Sequence, residues 1–124
     1  MRLLLLMMGF VVSLSSCKAS SSQLATAKPD LTTIVNDPQT TLVDVRVPEQ
    51  FEKSTVQHGV NIPLAEIGDH LDFFRKQKQT VLYCNRGVQS KKALDFLTSK
   101  GIKNVYFGKT MDNVTAIQHQ KEKR

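Results

Sequence analysis

The sequence predicts one α/β domain with a mostly parallel central sheet and helices on both faces. Three observations carry that expectation. Short apolar runs of strand length alternate with stretches whose apolar residues recur at helical spacing. Turn-forming residues, Asp37-Pro38, Gly87 and Gly101 among them, punctuate the alternation. The chain is 124 residues long, which leaves room for a single core of ordinary size.

Each element follows from its residues. Asp30 is placed to cap a short helix over Leu31 to Asn36, which Asp37-Pro38 ends. Thr41 to Val45 reads as a buried strand finishing in Asp44-Val45-Arg46. Pro48 to Lys53 suits a short helix, with proline in its first turn and Glu49 near its positive end. Asn61-Ile62-Pro63 is a brief extended piece, after which Leu64, Ile67, Leu71 and Phe74 predict one helix from Leu64 to Lys76. Thr80 to Tyr83 is a second buried strand. From Val88 to Lys100 the pattern is an amphipathic helix that turns Ala93, Leu94 and Leu97 inward and stops at Gly101. Asn104 to Phe107 is a third core strand, and Met111 to Gln118 a weakly patterned closing helix. Residues 119–124 read as a charged, solvated tail, so the domain is expected over residues 30–118. A parallel sheet of this kind carries its functional groups at the carboxyl ends of the strands.

At 40% apolar and 23% charged residues, the composition excludes a disordered polyelectrolyte and a multispan membrane protein. Seventeen Lys and Arg against eleven Asp and Glu give a formal charge of +6, which favours anionic ligands. No basic stripe of the kind that tracks a phosphate backbone is present, so no nucleic-acid partner is expected.

Residues 1–17 read as an address. Met1 and Arg2 precede the apolar run LLLLMMGFVV, which has the length of a signal-peptide core and is too short to span a bilayer comfortably. The run ends in Leu14-Ser15-Ser16-Cys17, which resembles the lipobox of bacterial lipoproteins, whose cysteine is lipidated and becomes the mature N-terminus. The resemblance implies an exported protein, anchored through lipid on Cys17 and facing the periplasm. Lys18, where many inner-membrane lipoproteins carry Asp, points to the outer membrane. The alternative is a soluble periplasmic protein cleaved after Ala25-Thr26-Ala27. Residues 18–29 are small and polar and suit a flexible tether.

With Cys17 assigned to the anchor, the domain keeps one thiol, Cys84, and no internal disulfide. Cys84 ends the second strand, and the loop Asn85-Arg86-Gly87-Val88-Gln89 leads to a helix that opens near Ser90. Such a loop can turn consecutive N–H groups onto the sulfur, and the helix N-terminus adds positive potential. Both favour thiolate over thiol and make the sulfur nucleophilic near neutral pH. Gly87 supplies the backbone freedom of a tight loop, while Arg86, Lys91 and Lys92 put positive charge where a dianion would approach. The competing reading of a lone cysteine is a small buried hydrophobe.

The chain resembles the rhodanese-like sulfurtransferases in three ordered stretches. Asp44-Val45-Arg46 with Glu49 and Phe51 is similar to the family's DVR-x-x-E-[FY], and Val56 to Pro63 to its HIxGAxNIP segment. Cys84 to Ser90 matches its C-x-x-G-x-[RQ]-S active loop, and Phe107-Gly108 falls where a Gly pair precedes the last helix. The layout is that of the small exported rhodaneses of the phage-shock type. Four positions depart from the pattern: Thr55 stands for the usual His, His58 for Gly, Gly59 for Ala, and only Gly108 remains of the Gly pair.

The resemblance implies a single rhodanese-like domain and a sulfurtransferase needing no cofactor. Cys84 would take sulfur from a small anionic donor such as thiosulfate and pass it to cyanide or a thiol. The amides of Asn85 to Gln89 would stabilise the anionic sulfur, and Arg86 would bind the donor. Asp44 and Arg46 are expected to form a structural ion pair near the loop, with Ser90 in support. His58 reads as an exposed loop side chain, and no Cys/His set has metal-ligand spacing. The domain is expected as a monomer whose membrane contact is the N-terminal lipid alone.

Two rivals come from other classes. Dual-specificity phosphatases use a similar loop with Cys-x5-Arg, but the sixth residue after Cys84 is Ser90, so the phosphate clamp is missing. A binding module would capture a persulfide, thiol or protein at the same pocket without turnover.

Overall fold

The computed structural model describes residues 29–123. The expectations for the signal peptide, for Cys17 and for the tether fall on residues 1–28 and lie outside the described residues.

The elements run α1 (Leu31–Val35), β1 (Thr40–Asp44), α2 (Pro48–Lys53), β2 (Gly59–Asn61), a 3-10 helix (Leu64–His70), α3 (Leu71–Lys76), β3 (Gln79–Cys84), α4 (Val88–Ser99), β4 (Val105–Thr110) and α5 (Met111–Glu122). The sheet has the order β2-β1-β3-β4 with every pair parallel. The α/β expectation with helices on both faces therefore holds.

The two faces are separated by the period-2 alternation of the strands. Val43, Leu82 and Cys84 point to one side, where Ile67, Phe74, Ala93 and Leu97 from the 3-10 helix, α3 and α4 cover them. Leu42, Val81 and Tyr83 point to the other, against Ile34 and Val35 of α1 and Val114 and Ile117 of α5. Crossovers between adjacent parallel strands thus place β1 and β3, the central pair, with their carboxyl ends side by side: Asp44 is in register with Tyr83, and the amide of Val45 bonds the Tyr83 carbonyl at 3.0 Å.

Local signals explain most boundaries. Pro48 occupies the first turn of α2. The end of α4 is a Schellman turn: Ile102 N–H reaches the Leu97 carbonyl at 3.1 Å and Gly101 N–H the Thr98 carbonyl at 3.0 Å, with Gly101 at φ +80°. Thr110 caps α5 by accepting from the Asn113 amide at 3.1 Å.

The structure differs from the sequence reading in four places. Asp30 stands at the start of α1 but its side chain makes no capping bond. The helix expected from Leu64 to Lys76 is two, broken where His70 leaves helical backbone (φ −119°, ψ 24°). Pro63 and Gly68 weaken the α register there, and the i, i+3 placement of Leu64 and Ile67 suits a 3-10 turn equally. β4 runs past Phe107 to Thr110 through a bulge that leaves Gly108 without a partner, since Phe107 pairs Leu82 and Lys109 pairs Tyr83. Finally, α5 continues to Glu122 through the stretch read as a tail, anchored by Gln118, whose amide group bonds both the carbonyl (3.0 Å) and the amide (3.3 Å) of Gln57.

Candidate active site

Cys84 closes β3 and its loop folds back over it. Gly87, at φ +88°, is the turn that lets the chain reverse, and α4 begins at the next residue. The reversal brings the Gly87 amide to 3.0 Å and the Ser90 amide to 3.4 Å from Cys84 Sγ. Ser90 Oγ lies 3.3 Å from the sulfur and donates to the carbonyl of Lys109 at 2.8 Å, tying the loop to the bulge of β4.

Cys84 as a residue is only 1% exposed. Its strand side packs in the apolar cluster of Val43, Leu82 and Ala93. Its other side is roofed by polar loop backbone and forms part of the lining of a depression of about 250 Å3, together with Gln50, Asn85, Arg86, Val88 and Gln89. Both readings of the lone cysteine thus describe one half of its surroundings.

Burial pushes the Cys84 thiol up, but the Ser90 hydroxyl and the Ser90, Gly87 and Arg86 amides outweigh it, so the thiol is held below its ordinary pKa. The N-terminus of α4 adds its dipole in the same sense. Of the amides of Asn85 to Gln89 expected to serve the sulfur, that of Gly87 bonds Sγ itself and that of Arg86 assists; the second direct donor, the Ser90 amide, lies one residue beyond the expected set. No bond from the amides of Asn85, Val88 or Gln89 reaches Sγ. Asn85, Arg86, Val88 and Gln89 are exposed at the rim.

Asp44 and Arg46 meet as expected. Arg46 Nη2 lies 2.7 Å from Asp44 Oδ2, and Nε spans both carboxylate oxygens at 2.9 and 3.0 Å. Both side chains are buried, and Arg46 also donates to the Ser54 carbonyl at 2.6 Å, locking the chain after α2 to the end of β1. The hydrogen bonds to Asp44 raise the guanidinium pKa despite burial, with smaller attraction from the nearby Tyr83 and Cys84.

Sequence reasoning missed the rest of this polar cluster. Thr55 Oγ1 donates to Asp44 Oδ2 at 3.1 Å and lies 2.6 Å from the Tyr83 hydroxyl. Tyr83 is wholly buried, and burial, against the opposing bond to Thr55, pushes its hydroxyl up to about 12. Asn61 Nδ2 bonds the carbonyls of both Asp44 and Arg46 at 3.0 and 2.9 Å, so the NIP segment fastens β2 to the same strand end. The departures at Thr55 and Gly59 were the available signal, because they fall on one cluster. Gln50 and Lys109 were also missed; Lys109 sits at φ +69° beside Gly108, where a second glycine would relieve the backbone.

His58 is exposed, at φ +62°, and lines a different depression, beyond the start of β1; His70 and His119 are exposed as well. Among the described residues no group of three His, Cys, Asp or Glu side chains is placed to hold a metal ion.

The chain is similar to known proteins. A model of the rhodanese-like domain family matches residues 28–109. The chain is 38% identical over 65 residues to the thiosulfate sulfurtransferase PspE of Escherichia coli (strain K12), covering 51% of this chain and 62% of that protein. It is 34% identical over 76 residues to a tRNA uridine(34) hydroxylase of Pelagibacter ubique (strain HTCC1062), covering 59% of this chain and 25% of the relative. The chain thus spans less than two thirds of the length of either relative. Among solved structures, a rhodanese with anions from E. coli superposes with a TM-score of 0.55 at 33% identity, covering 60% of this chain and 89% of that one. A match from before β1 to the β4 bulge takes in the cysteine loop and the paired Asp44 and Arg46 alike, and on that ground the chain belongs to the rhodanese-like domain family.

Proposed function

We propose that the domain is a sulfurtransferase that moves a sulfane sulfur from a donor such as thiosulfate to cyanide or a thiol through a persulfide on Cys84. One observation carries the reading: Cys84 Sγ accepts the Gly87 and Ser90 amides at 3.0 and 3.4 Å beside an open depression of about 250 Å3. That is a nucleophile held anionic by fixed donors, with space for a small anion above it.

In the first displacement the thiolate attacks the outer sulfur of thiosulfate. A new S–S bond forms, the old one breaks, and sulfite leaves with the electron pair. Total charge is −3 before and after. In the second, cyanide attacks the outer sulfur, thiocyanate leaves, and the Cys84 thiolate returns. No proton transfer is needed in either step, so no histidine base is required. The Arg86 side chain at the rim binds the incoming dianion. Gln50 borders the same space and offers the donor's oxygens a neutral partner. The Asp44–Arg46 pair holds the end of β1 beside the loop and takes no part in the chemistry.

Thiocyanate production from thiosulfate and cyanide tests the reading. The wild-type domain is expected to turn over and Cys84→Ser to be inert; equal rates would end the hypothesis. Intact mass after thiosulfate treatment should show an added sulfur, about 32 Da, that cyanide removes. Persulfide formation without turnover would instead mark a carrier module.

We also propose export and anchoring through lipid on Cys17, supported by the Leu14-Ser15-Ser16-Cys17 motif and the polar tether after it. The mass of the mature N-terminal peptide tests this: a chain beginning at Lys28 without an acyl group overturns the anchor.

A further inference from the structure

A second depression, of about 500 Å3, adjoins the one that holds Cys84. Arg86, Lys91, Lys92 and Lys109 border it, and Val88 and Phe107 give it an apolar surface. Arg86 and Val88 line both depressions, so the two share a wall. No Asp or Glu lines the larger one. Lys91 is paired with Asp95 at 2.7 Å, whereas among the described residues no carboxylate lies within ion-pair distance of Arg86, Lys92 or Lys109.

Two features mark this open, shallow surface besides its charge. The stem of Lys109 runs beneath the loop where Gly87 has no side chain: a Cβ on Gly87 would lie 3.2 Å from Lys109 Cγ. Lys109 keeps this place although its backbone is at φ +69°, which a side chain disfavours. Val88, between the two depressions, is 60% exposed, more than Val47, Val60 or Phe96.

A bare inorganic anion fits the smaller depression and has no use for apolar surface. An organic anion uses both. We propose that the larger depression binds the carbon skeleton and carboxylates of an anionic organic thiol, the acceptor of the Cys84 sulfur, while its own sulfur reaches into the smaller depression. This rests on the sulfurtransferase reading. The acceptor thiol first loses its proton to solvent. Its thiolate attacks the outer sulfur of the Cys84 persulfide, the bond to Sγ breaks with the electron pair leaving on Sγ, and an organic persulfide anion departs. Total charge is −2 from persulfide and thiolate on both sides, the carboxylates being unchanged. By microscopic reversibility the same surface receives such a persulfide as donor.

The test loads the protein with thiosulfate, confirms the added sulfur by mass, and follows discharge by mercaptosuccinate, 3-mercaptopropionate, 2-mercaptoethanol and cysteamine, with rates referred to thiolate concentration. The wild type is expected to favour mercaptosuccinate over 2-mercaptoethanol by about 10-fold at low salt, with the preference lost in high salt. Lys92→Gln and Lys109→Gly are each expected to lower that ratio by about 3-fold or more; glycine at position 109 accepts the positive φ, so the carbonyl that Ser90 bonds keeps its place although the stem beneath the loop is lost. Persulfide that forms and is discharged with a ratio unchanged by both substitutions overturns the subsite and leaves the sulfurtransferase standing. Failure of any persulfide to form overturns both.

Discussion

Ser90 Oγ stands 3.3 Å from Cys84 Sγ and 2.8 Å from the Lys109 carbonyl, so one hydroxyl touches both the nucleophile and the strand bulge behind it. In the thiol state the S–H donates to Ser90 Oγ; once the proton is gone, the hydroxyl can turn its own hydrogen to the sulfur. Ser90→Ala removes that donor and the hydroxyl's tie to the Lys109 carbonyl. Persulfide formation at neutral pH is expected to fall about 10-fold, the worth of one bond to a charged group. The pH midpoint of iodoacetamide alkylation should rise towards the ordinary thiol value. Stability follows the same linkage. A folded pKa below the unfolded one, about 8.5, contributes stability that is full above the unfolded value and lost as pH falls through the folded midpoint. Urea unfolding across that interval should show a gain with pH in the wild type and a flatter profile in Ser90→Ala.

The pair Asp44–Arg46 makes a different prediction. Asp44→Asn leaves the guanidinium of Arg46, a residue only 5% exposed, facing an uncharged amide, and a loss of about 3 to 5 kcal/mol is expected from the denaturation midpoint. Well below that midpoint, the folded fraction should still gain sulfur on Cys84 when given thiosulfate. A variant that folds fully yet forms no persulfide would assign the pair to substrate instead.

The glycine at position 59 is explained by the tyrosine at position 83. A Cβ on Gly59 would sit 2.5 Å from the Tyr83 hydroxyl and 2.9 Å from Thr55 Oγ1. Gly59→Ala should cost about 1 to 3 kcal/mol, as overpacking does. Tyr83→Phe removes the obstructing oxygen, so the double variant should recover more than half of that loss in a double-mutant cycle. The hydroxyl also has a signature in base. Its folded pKa of about 12 lies above the unfolded value of about 10, so its stabilisation is present below the latter and lost as pH climbs through the former. Tyr83→Phe should remove that part of the alkaline transition.

These pairs show where sequence is readable and where it stops. The strands β1 and β3 and the loop from Cys84 to Ser90 are contiguous in the chain, and their periodicity and turn residues announce them. The Asp44–Arg46 pair was legible too, but its partners Thr55, Gly59 and Tyr83 come from separate parts of the chain, and each of those three taken alone looks like a turn or core residue. Lys109 was invisible for a related reason: its importance lies in a positive φ and a carbonyl aimed at Ser90, neither of which a lysine codon signals. The extension of α5 to Glu122 reflects a tertiary contact, Gln118 on Gln57, outweighing a weak local pattern, whereas the break at His70 comes from the weakened α register that Pro63 and Gly68 leave.

Gly87 and Gly101 separate strain from function. Both have positive φ, +88° and +80°, so alanine at either should cost about 1 to 2 kcal/mol from backbone conformation. Nothing lies within 4 Å of a Cβ on Gly101, whereas one on Gly87 would press on Lys109 Cγ at 3.2 Å and displace the amide that donates to Cys84 at 3.0 Å. Gly101→Ala is therefore expected to lower the denaturation midpoint while the alkylation midpoint of Cys84 stays where it was. Gly87→Ala should lower the first by a similar amount, raise the second, and slow persulfide formation by about 10-fold or more. Matching thiol titrations in the two variants would show that the loop amides do not hold the charge on the sulfur.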